Sequence, residues 1–338
     1  MKTLTGMAVV AAGLCAASAA GASTLDDVRA RGEIVCGVHF GLAGFAAPDD
    51  QGNFQGLDVD VCRGVAAAVF GDADKISYTS VTAKTRFTAL QGGEIDLLSR
   101  NTTWTYMRDA SLGLDFTGVT YYDGQGFMVR KDLGVASARD LNGAAVCTST
   151  GTTTELNLKD YFDGNGMSYN VVAFEKEAEV VAAYEAGRCD AYTTDASALA
   201  AARVQLANAE EHMILPEIIS KEPLGPVVRQ GDDEWGDIVR WTLWVMDTAE
   251  ELGITSENVD AIKAETTSPE IKRILGVDGN IGEPLGLNAD FAYQIIKQVG
   301  NYGEVFDRHV GPDTPLGLAR GLNDTWKSGG LRYAAPVR

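Results

Sequence analysis

The chain has 338 residues, 45% of them hydrophobic, and its 47 acidic against 28 basic residues give a formal net charge of −19. Acid spread along the whole length excludes a nucleic-acid surface, because phosphates need Lys and Arg, while still allowing a small site to be locally positive. The length exceeds what one hydrophobic core usually organises, so two lobes are expected.

The first residues read as an export signal. Lys2 is followed by an apolar run over residues 7–20, and Ala20-Gly21-Ala22 places small residues where signal peptidase cuts. Residues 1–22 are thus expected to be removed near Ala22. The run is too short to hold across a bilayer of about 30 Å. Leu14 stands before Cys15 where lipid attachment needs a small residue, so a lipid anchor is not expected. No later stretch is long and apolar enough for a membrane span.

Beyond the signal, strand and helix patterns alternate. Residues 33–38 read as a strand, 57–70 as a helix ending at Gly71, 76–81 as a strand, 82–90 as a helix ending at Gly92-Gly93, and 95–99 as a strand. The pattern restarts with a strand at 144–148, a helix at 152–162, a strand at 171–174, a helix at 177–186 and a strand at 189–193. Such alternation implies a parallel sheet with helices on both faces, formed twice. Extended segments at 125–130 and 225–229 read as the two connections between lobes. A helix over 234–252, with Trp235, Ile238, Trp241, Leu243 and Val245 on its apolar face, returns to the first lobe. The expected division is 23–127 for lobe one, 128–226 for lobe two and 227–338 for the rest of lobe one. Within that last part, residues 255–338 are less regular and read as an extension packed on lobe one.

Cys36, Cys62, Cys147 and Cys189 remain after export. An even number in an oxidising compartment favours disulfides. Three pairings are possible, and the spacing suggests Cys36 with Cys62 in one lobe and Cys147 with Cys189 in the other. No CxxC or CxxH spacing occurs, so no zinc or other metal site is expected, nor is any cofactor.

Ligands of open α/β sheets bind beyond the carboxyl ends of the strands, which directs attention to three loops. After the strand at 95–99 comes Arg100-Asn101-Thr102-Thr103-Trp104-Thr105-Tyr106-Met107-Arg108. Asn101 and Thr103 offer polar groups, and Arg108 can grip a carboxylate through two parallel hydrogen bonds. After the strand at 144–148 comes Ser149-Thr150-Gly151-Thr152-Thr153-Thr154-Glu155. Here a tight turn leads into a helix N-terminus suited to an anion, with Ser149, Thr152 and Thr153 beside it; Thr152 and Glu155 also fit a capping box. The pattern lacks the lysine of a nucleotide P-loop. After the strand at 189–193 stands Asp195, a partner for an ammonium group or a cap for the helix at 196–206. An arginine, a helix N-terminus and an acid facing one cleft complement a zwitterion.

On these motifs the chain resembles the polar amino-acid-binding proteins of ABC importers, the family 3 solute-binding proteins. The resemblance is carried by Gly56-Leu57-Asp58-Val59-Asp60, Ile95-Asp96-Leu97-Leu98, the Thr-rich loop ending at Arg108, Tyr121-Tyr122, Ser149-Thr150-Gly151-Thr152-Thr153, and Gly187-Arg188-Cys189-Asp190-Ala191 leading to Asp195. Stretches at 220–226, 300–304 and 329–331 resemble the general L-amino-acid, or glutamate/glutamine/aspartate/asparagine, branch, which also has a long C-terminal extension. The resemblance implies a type II periplasmic-binding-protein fold, a free amino acid as ligand, permease subunits of an ABC transporter as partner, a periplasmic monomer and no enzymatic activity. It further implies that Arg86 meets an acidic side chain, that His39 lies among side-chain contacts, and that Phe45 packs on the ligand's aliphatic part. The rival function is a periplasmic dehydratase of the same fold, similar to cyclohexadienyl dehydratase. Such an enzyme needs a positioned acid or base, for which Glu155 and His39 are the obvious candidates. A tethered sensory module would need a membrane helix beyond the signal, and the sequence supplies none.

Overall fold

The computed structural model describes residues 23–338, so the expected export signal lies outside the described residues. Lobe one begins with α1 (Thr24–Arg31), β1 (Ile34–Val38), a small hairpin of β2 (Ala47–Pro48) and β3 (Phe54–Gln55), α2 (Leu57–Phe70), β4 (Ile76–Ser80), α3 (Arg86–Gln91), β5 (Leu97–Leu98), α4 (Tyr106–Ser111) and β6 (Leu114–Phe116). After β7 (Tyr121–Asp123) the chain builds lobe two from β8 (Gln125–Arg130), β9 (Ala145–Ser149), α5 (Thr153–Gly164), β10 (Asn170–Phe174), α6 (Glu177–Glu185), β11 (Ala191–Asp195), α7 (Ala196–Arg203) and β12 (His212–Ile214). It returns through β13 (Glu222–Leu224) to β14 (Val227–Arg229) and α8 (Asp233–Glu251).

Each lobe holds one five-stranded mixed sheet. The orders are β4-β1-β5-β14-β6 and β10-β9-β11-β8-β12, and in both the strand arriving from the other lobe runs antiparallel. In lobe one Gly64 of α2 faces α8: a Cβ there would stand 3.0 Å from the Thr242 side chain, which would have to give way. Trp235 of α8 is fully buried and donates its indole N–H to the Asp96 carbonyl at 2.9 Å, which ties the returning helix to the sheet.

The crossing between lobes is the antiparallel pair β7–β13, with Tyr121 opposite Leu224 and Asp123 opposite Glu222. This corrects the placement of the connections at 125–130 and 225–229. Gln125–Arg130 is an inner strand of the lobe-two sheet and Val227–Arg229 an inner strand of the lobe-one sheet. Both segments are apolar and extended, and a buried strand next to a hinge has the same local pattern as the hinge itself.

The cysteines pair as the spacing suggests. Cys36 of β1 is bonded to Cys62 of α2, and Cys147 of β9 to Cys189 just before β11. Each disulfide stays within its lobe and leaves the hinge free.

The C-terminal part is more regular than its sequence suggests. It folds into α9 (Val259–Glu265), α10 (Pro269–Ile274), α11 (Phe291–Gln298) and α12 (Tyr302–His309), with α11 against both α2 and α8. It also reaches the hinge. The Tyr302 hydroxyl donates to the Thr120 carbonyl at 2.7 Å. The Asn323 side chain accepts from the Tyr122 N–H at 2.7 Å and donates to the Tyr122 carbonyl at 3.1 Å. Arg332, buried, bonds Asp247 and donates to the Val119 carbonyl at 2.7 Å. Tyr121 stacks on Phe306 of α12 at 6.1 Å, and Phe45 meets its edge at 5.4 Å.

Candidate binding site

The loop between β5 and α4 forms the lobe-one wall. Asn101 turns the chain at φ +31 and is, among the described residues, the one non-glycine with positive φ. Its N–H is held at 2.8 Å by the buried carboxylate of Asp58. Such an unfavourable backbone state persists where surrounding contacts enforce it, a common feature of binding loops. Burial pushes the Asp58 pKa up to about 6, against the pull of its hydrogen bonds from Asn101 and Ser99. Thr105 caps α4 by accepting from the Arg108 N–H. The cap turns the Arg108 side chain inward, where Nη1 donates to the Thr103 carbonyl at 2.9 Å. Arg86 and Arg108 both lie over one ring, Phe87, at 4.8 and 5.3 Å from its centroid. Arg86 is buried rather than on a helix surface, and its Nη1 donates to Thr102 at 3.3 Å.

Lobe two contributes the end of β9 and the start of α5. Gly151, at φ +74, makes the turn, and a Cβ there would come 3.4 Å from the Lys84 backbone across the cleft. Thr152 accepts from the Glu155 N–H at 3.2 Å, one half of the expected capping box. The other half is displaced: the Glu155 carboxylate accepts from Gly151, one residue before the cap. Helix geometry leaves the first-turn N–H groups of Thr153 and Thr154 without intrahelical acceptors. Ser149 ends β9, and its carbonyl accepts from the Thr152 hydroxyl at 2.7 Å.

Asp195 is the last residue of β11, not a residue of the following loop, and it stands opposite Gln125 of β8 in the antiparallel register. Opposed residues share a face of the sheet. Four buried side-chain polar atoms have no hydrogen-bond partner among the described residues, and three are Asp195 Oδ1, Gln125 Oε1 and Arg86 Nε. Native proteins leave few such atoms, and this trio offers a polar ligand two acceptors and one donor. Burial, together with the nearby carboxylates of Asp123 and Glu222, raises the Asp195 pKa well above its usual range.

Glu222, in the hinge strand and buried, joins the walls. Its carboxylate accepts from the hydroxyls of Thr103 at 2.6 Å and Thr153 at 2.9 Å, from the Asn157 amide at 2.7 Å and from Ser220 at 2.6 Å. Thr103 and Thr153, from opposite lobes, are 3.3 Å apart. With their hydroxyl protons given to Glu222, both threonine oxygens are left as acceptors. The cleft is latched at its edge as well. His39 Nδ1 accepts from the Gly41 N–H, so its proton sits on Nε2, 3.0 Å from Glu177 of lobe two. Burial, reinforced by the Arg100 charge, lowers the His39 pKa and keeps the ring neutral. Thr82 donates to Glu175 at 3.2 Å beside it.

The structure thus draws Thr103, Thr153, Arg86, Arg108 and Asp195 toward one another, leaves Asn101, Ser149 and Thr152 at the turns that flank them, and gives His39 a contact between lobes. Phe45 is 1% exposed in the lobe-one core, with Tyr121 of the hinge beside it. Gln125 and Glu222 escaped the sequence reading, the first because its strand was taken for a connection. Arg100 stood in the loop without a role. No grouping of His, Cys, Asp and Glu able to hold a metal occurs among the described residues.

Residues 34–258 match the model of the bacterial extracellular solute-binding proteins, family 3. This chain belongs to that family. As a family 3 solute-binding protein it is similar over nearly its whole length to characterised relatives. It is 61% identical over 335 residues to the general L-amino acid-binding periplasmic protein of Rhizobium johnstonii, covering 98% of this chain and 97% of that one. It is 57% identical over 329 residues to the glutamate/glutamine/aspartate/asparagine-binding protein of Rhodobacter capsulatus, covering 97% of each. The structure of an ABC transporter periplasmic binding protein from Brucella ovis with glutathione bound superposes with a TM-score of 0.92 at 57% identity, covering 94% of this solute-binding protein and 100% of that one. These relatives are binding proteins, and this chain is a solute-binding protein rather than an enzyme. Among its described residues no helix is long and apolar enough to cross a membrane.

Proposed function

We infer that this solute-binding protein captures free polar L-amino acids between its lobes in the periplasm and hands them to the permease of an ABC importer. The names of its relatives support the ligand class, and the unpartnered trio of Asp195 Oδ1, Gln125 Oε1 and Arg86 Nε is the observation that carries it to this chain. Arg108 and the first-turn amides of α5 take the α-carboxylate. Asp195, Gln125 and the two threonine oxygens take the ammonium. Arg86 and Arg100 remain for an acceptor on the side chain, which favours glutamate, glutamine, aspartate and asparagine. The groups belong to both lobes, so only the closed arrangement satisfies the whole ligand, and binding favours closure. The protein works as a monomer after cleavage near Ala22. The γ-glutamyl end of glutathione, the ligand in the Brucella structure, carries the same α-ammonium and α-carboxylate, and such a ligand would enter by that end.

Arg108→Ala and Asp195→Ala each remove one partner of a buried charge pair, which costs about 2–5 kcal/mol. Calorimetric titration with glutamate, glutamine and alanine is expected to show similar losses of roughly 30-fold or more for every ligand. A loss confined to one amino acid would mean that these residues read the side chain, not the zwitterion.

A further inference from the structure

Beside the zwitterion groups, a cavity of about 460 Å³ opens between the lobes, within the size range of small-molecule pockets. Leu42 and Arg100 line it from lobe one, and Lys176, Ala178, Val181 and Ala182 from lobe two. None of the lobe-two residues was singled out by the sequence, and an amino acid as short as aspartate has no use for this volume.

Helix α6 explains the lining. Val180, Ala183 and Tyr184 bury one face of it in the lobe-two core. A surface helix needs only one such face. Ala178 and Ala182, both exposed and at helical spacing, line the cavity beside Val181, which also leans on the lobe-two core; the two alanines are too small to fill it.

The polar inventory identifies what is wanted there. The three carboxylates on the cavity wall already have donors: Glu175 accepts from Thr82, Glu177 from Tyr192 and from His39, and Glu185 from the Ala207 N–H. Arg100 differs. A guanidinium carries five N–H donors, of which Nε is used on the Val81 carbonyl at 2.8 Å and one on Nη1 for the Asn101 side chain at 3.3 Å. Arg100 is 7% exposed and close enough to Asp195 and Arg108 for their charges to act on it. It therefore stands between the zwitterion groups and the cavity with donors to spare. Lys176, exposed, adds a second cation further out.

We propose that this cavity is a side-chain subsite for amino acids extended by an amide, the γ-glutamyl peptides, with Arg100 meeting the acceptor oxygens of the extension, the apolar face of α6 covering its methylenes, and Lys176 drawing its terminal carboxylate. The subsite rests on the amino-acid reading above, since the zwitterion end must be held first.

Ala182→Trp fills the cavity from an exposed helix position remote from Arg108 and Asp195. The wild-type chain and this variant are titrated with L-glutamate and with γ-L-glutamylglycine. The expected result is binding of both by the wild type. In the variant, glutamate stays within about twofold while γ-glutamylglycine weakens tenfold or more. Glutamate binding without γ-glutamylglycine binding in the wild type overturns the subsite alone, as does a variant that weakens both ligands equally or neither. Failure of the wild type to bind either ligand overturns the amino-acid reading together with it.

Discussion

Asp195 is an acid whose own surroundings hold it toward the neutral form. Burial and the carboxylates of Asp123 and Glu222 raise its pKa, and a bound ammonium must lower it again. Between the bound and free values the ligand-free protein carries the extra proton, so binding releases one and affinity rises with pH across that window. The window starts in the ordinary carboxylate range and ends at the raised free-state value. Titrations upward from the ordinary carboxylate range are thus expected to show Kd falling as pH rises, and proton release when buffers of different ionisation enthalpy are compared. A Kd independent of pH would show that Asp195 is ionised before the ligand arrives. Single residues divide sharply in how far the sequence revealed them. Arg108, Thr103 and Asp195 follow or end strands, where a topological rule selects them. Glu222 has no such flag: its role exists only because residues 103, 153 and 222 converge, and no local pattern encodes that. Phe45 has no flag of its own either: an aromatic after a strand reads the same whether it meets a ligand or Tyr121.

The elements themselves were mostly legible, and their errors have physical causes. The second lobe's strand at 191–195 lies two residues beyond the expected 189–193: the Cys189 carbonyl is taken by the Arg130 side chain, and the Ala145 N–H by the Asp190 carboxylate in place of a backbone carbonyl. Helices α11 and α12 span eight residues each, too short to stand out between turns. Only packing on α2 and α8 holds such short pieces in helical form. Lobe two lacks that support and leans on its disulfide. Cys147–Cys189 closes a separation of 42 residues, for which chain entropy gives about 4 kcal/mol. Replacing both by serine is expected to lower the unfolding free energy by about that amount in denaturant titration, with lobe two melting first. Unchanged stability would mean that α5, α6 and α7 suffice to hold this sheet together.

At the scale of the whole molecule, the C-terminal extension does more than pack on lobe one. Tyr302, Asn323 and Arg332 all reach residues 119–122, so nearly the last residues of the chain hold the start of the crossing. Arg332→Ala leaves Asp247 buried without its partner, which typically costs about 3–5 kcal/mol. Asn323→Ala frees both backbone groups of Tyr122 and should cost about 1–3 kcal/mol. Thermal unfolding with and without glutamate checks both, and the Asn323 variant is also expected to change the rate of closure. Equal midpoints for variants and wild type would reduce the extension to a passive layer. None of this was readable from residues 255–338 alone, because the partners of Asn323 lie two hundred positions earlier.

The clamp on Tyr122 changes what slow measurements of this protein would report. Hinges are normally among the quickest amides to exchange with solvent, being lightly packed and often open. Here the Tyr122 amide is held by Asn323 and the Thr120 amide by the Leu224 carbonyl, each at 2.7 Å. Deuterium can enter at Tyr122 only when the extension lets go, and at Thr120 only when the two crossing strands part. The Tyr122 exchange thus clocks the detachment of the C-terminal segment, separately from the opening and shutting of the cleft.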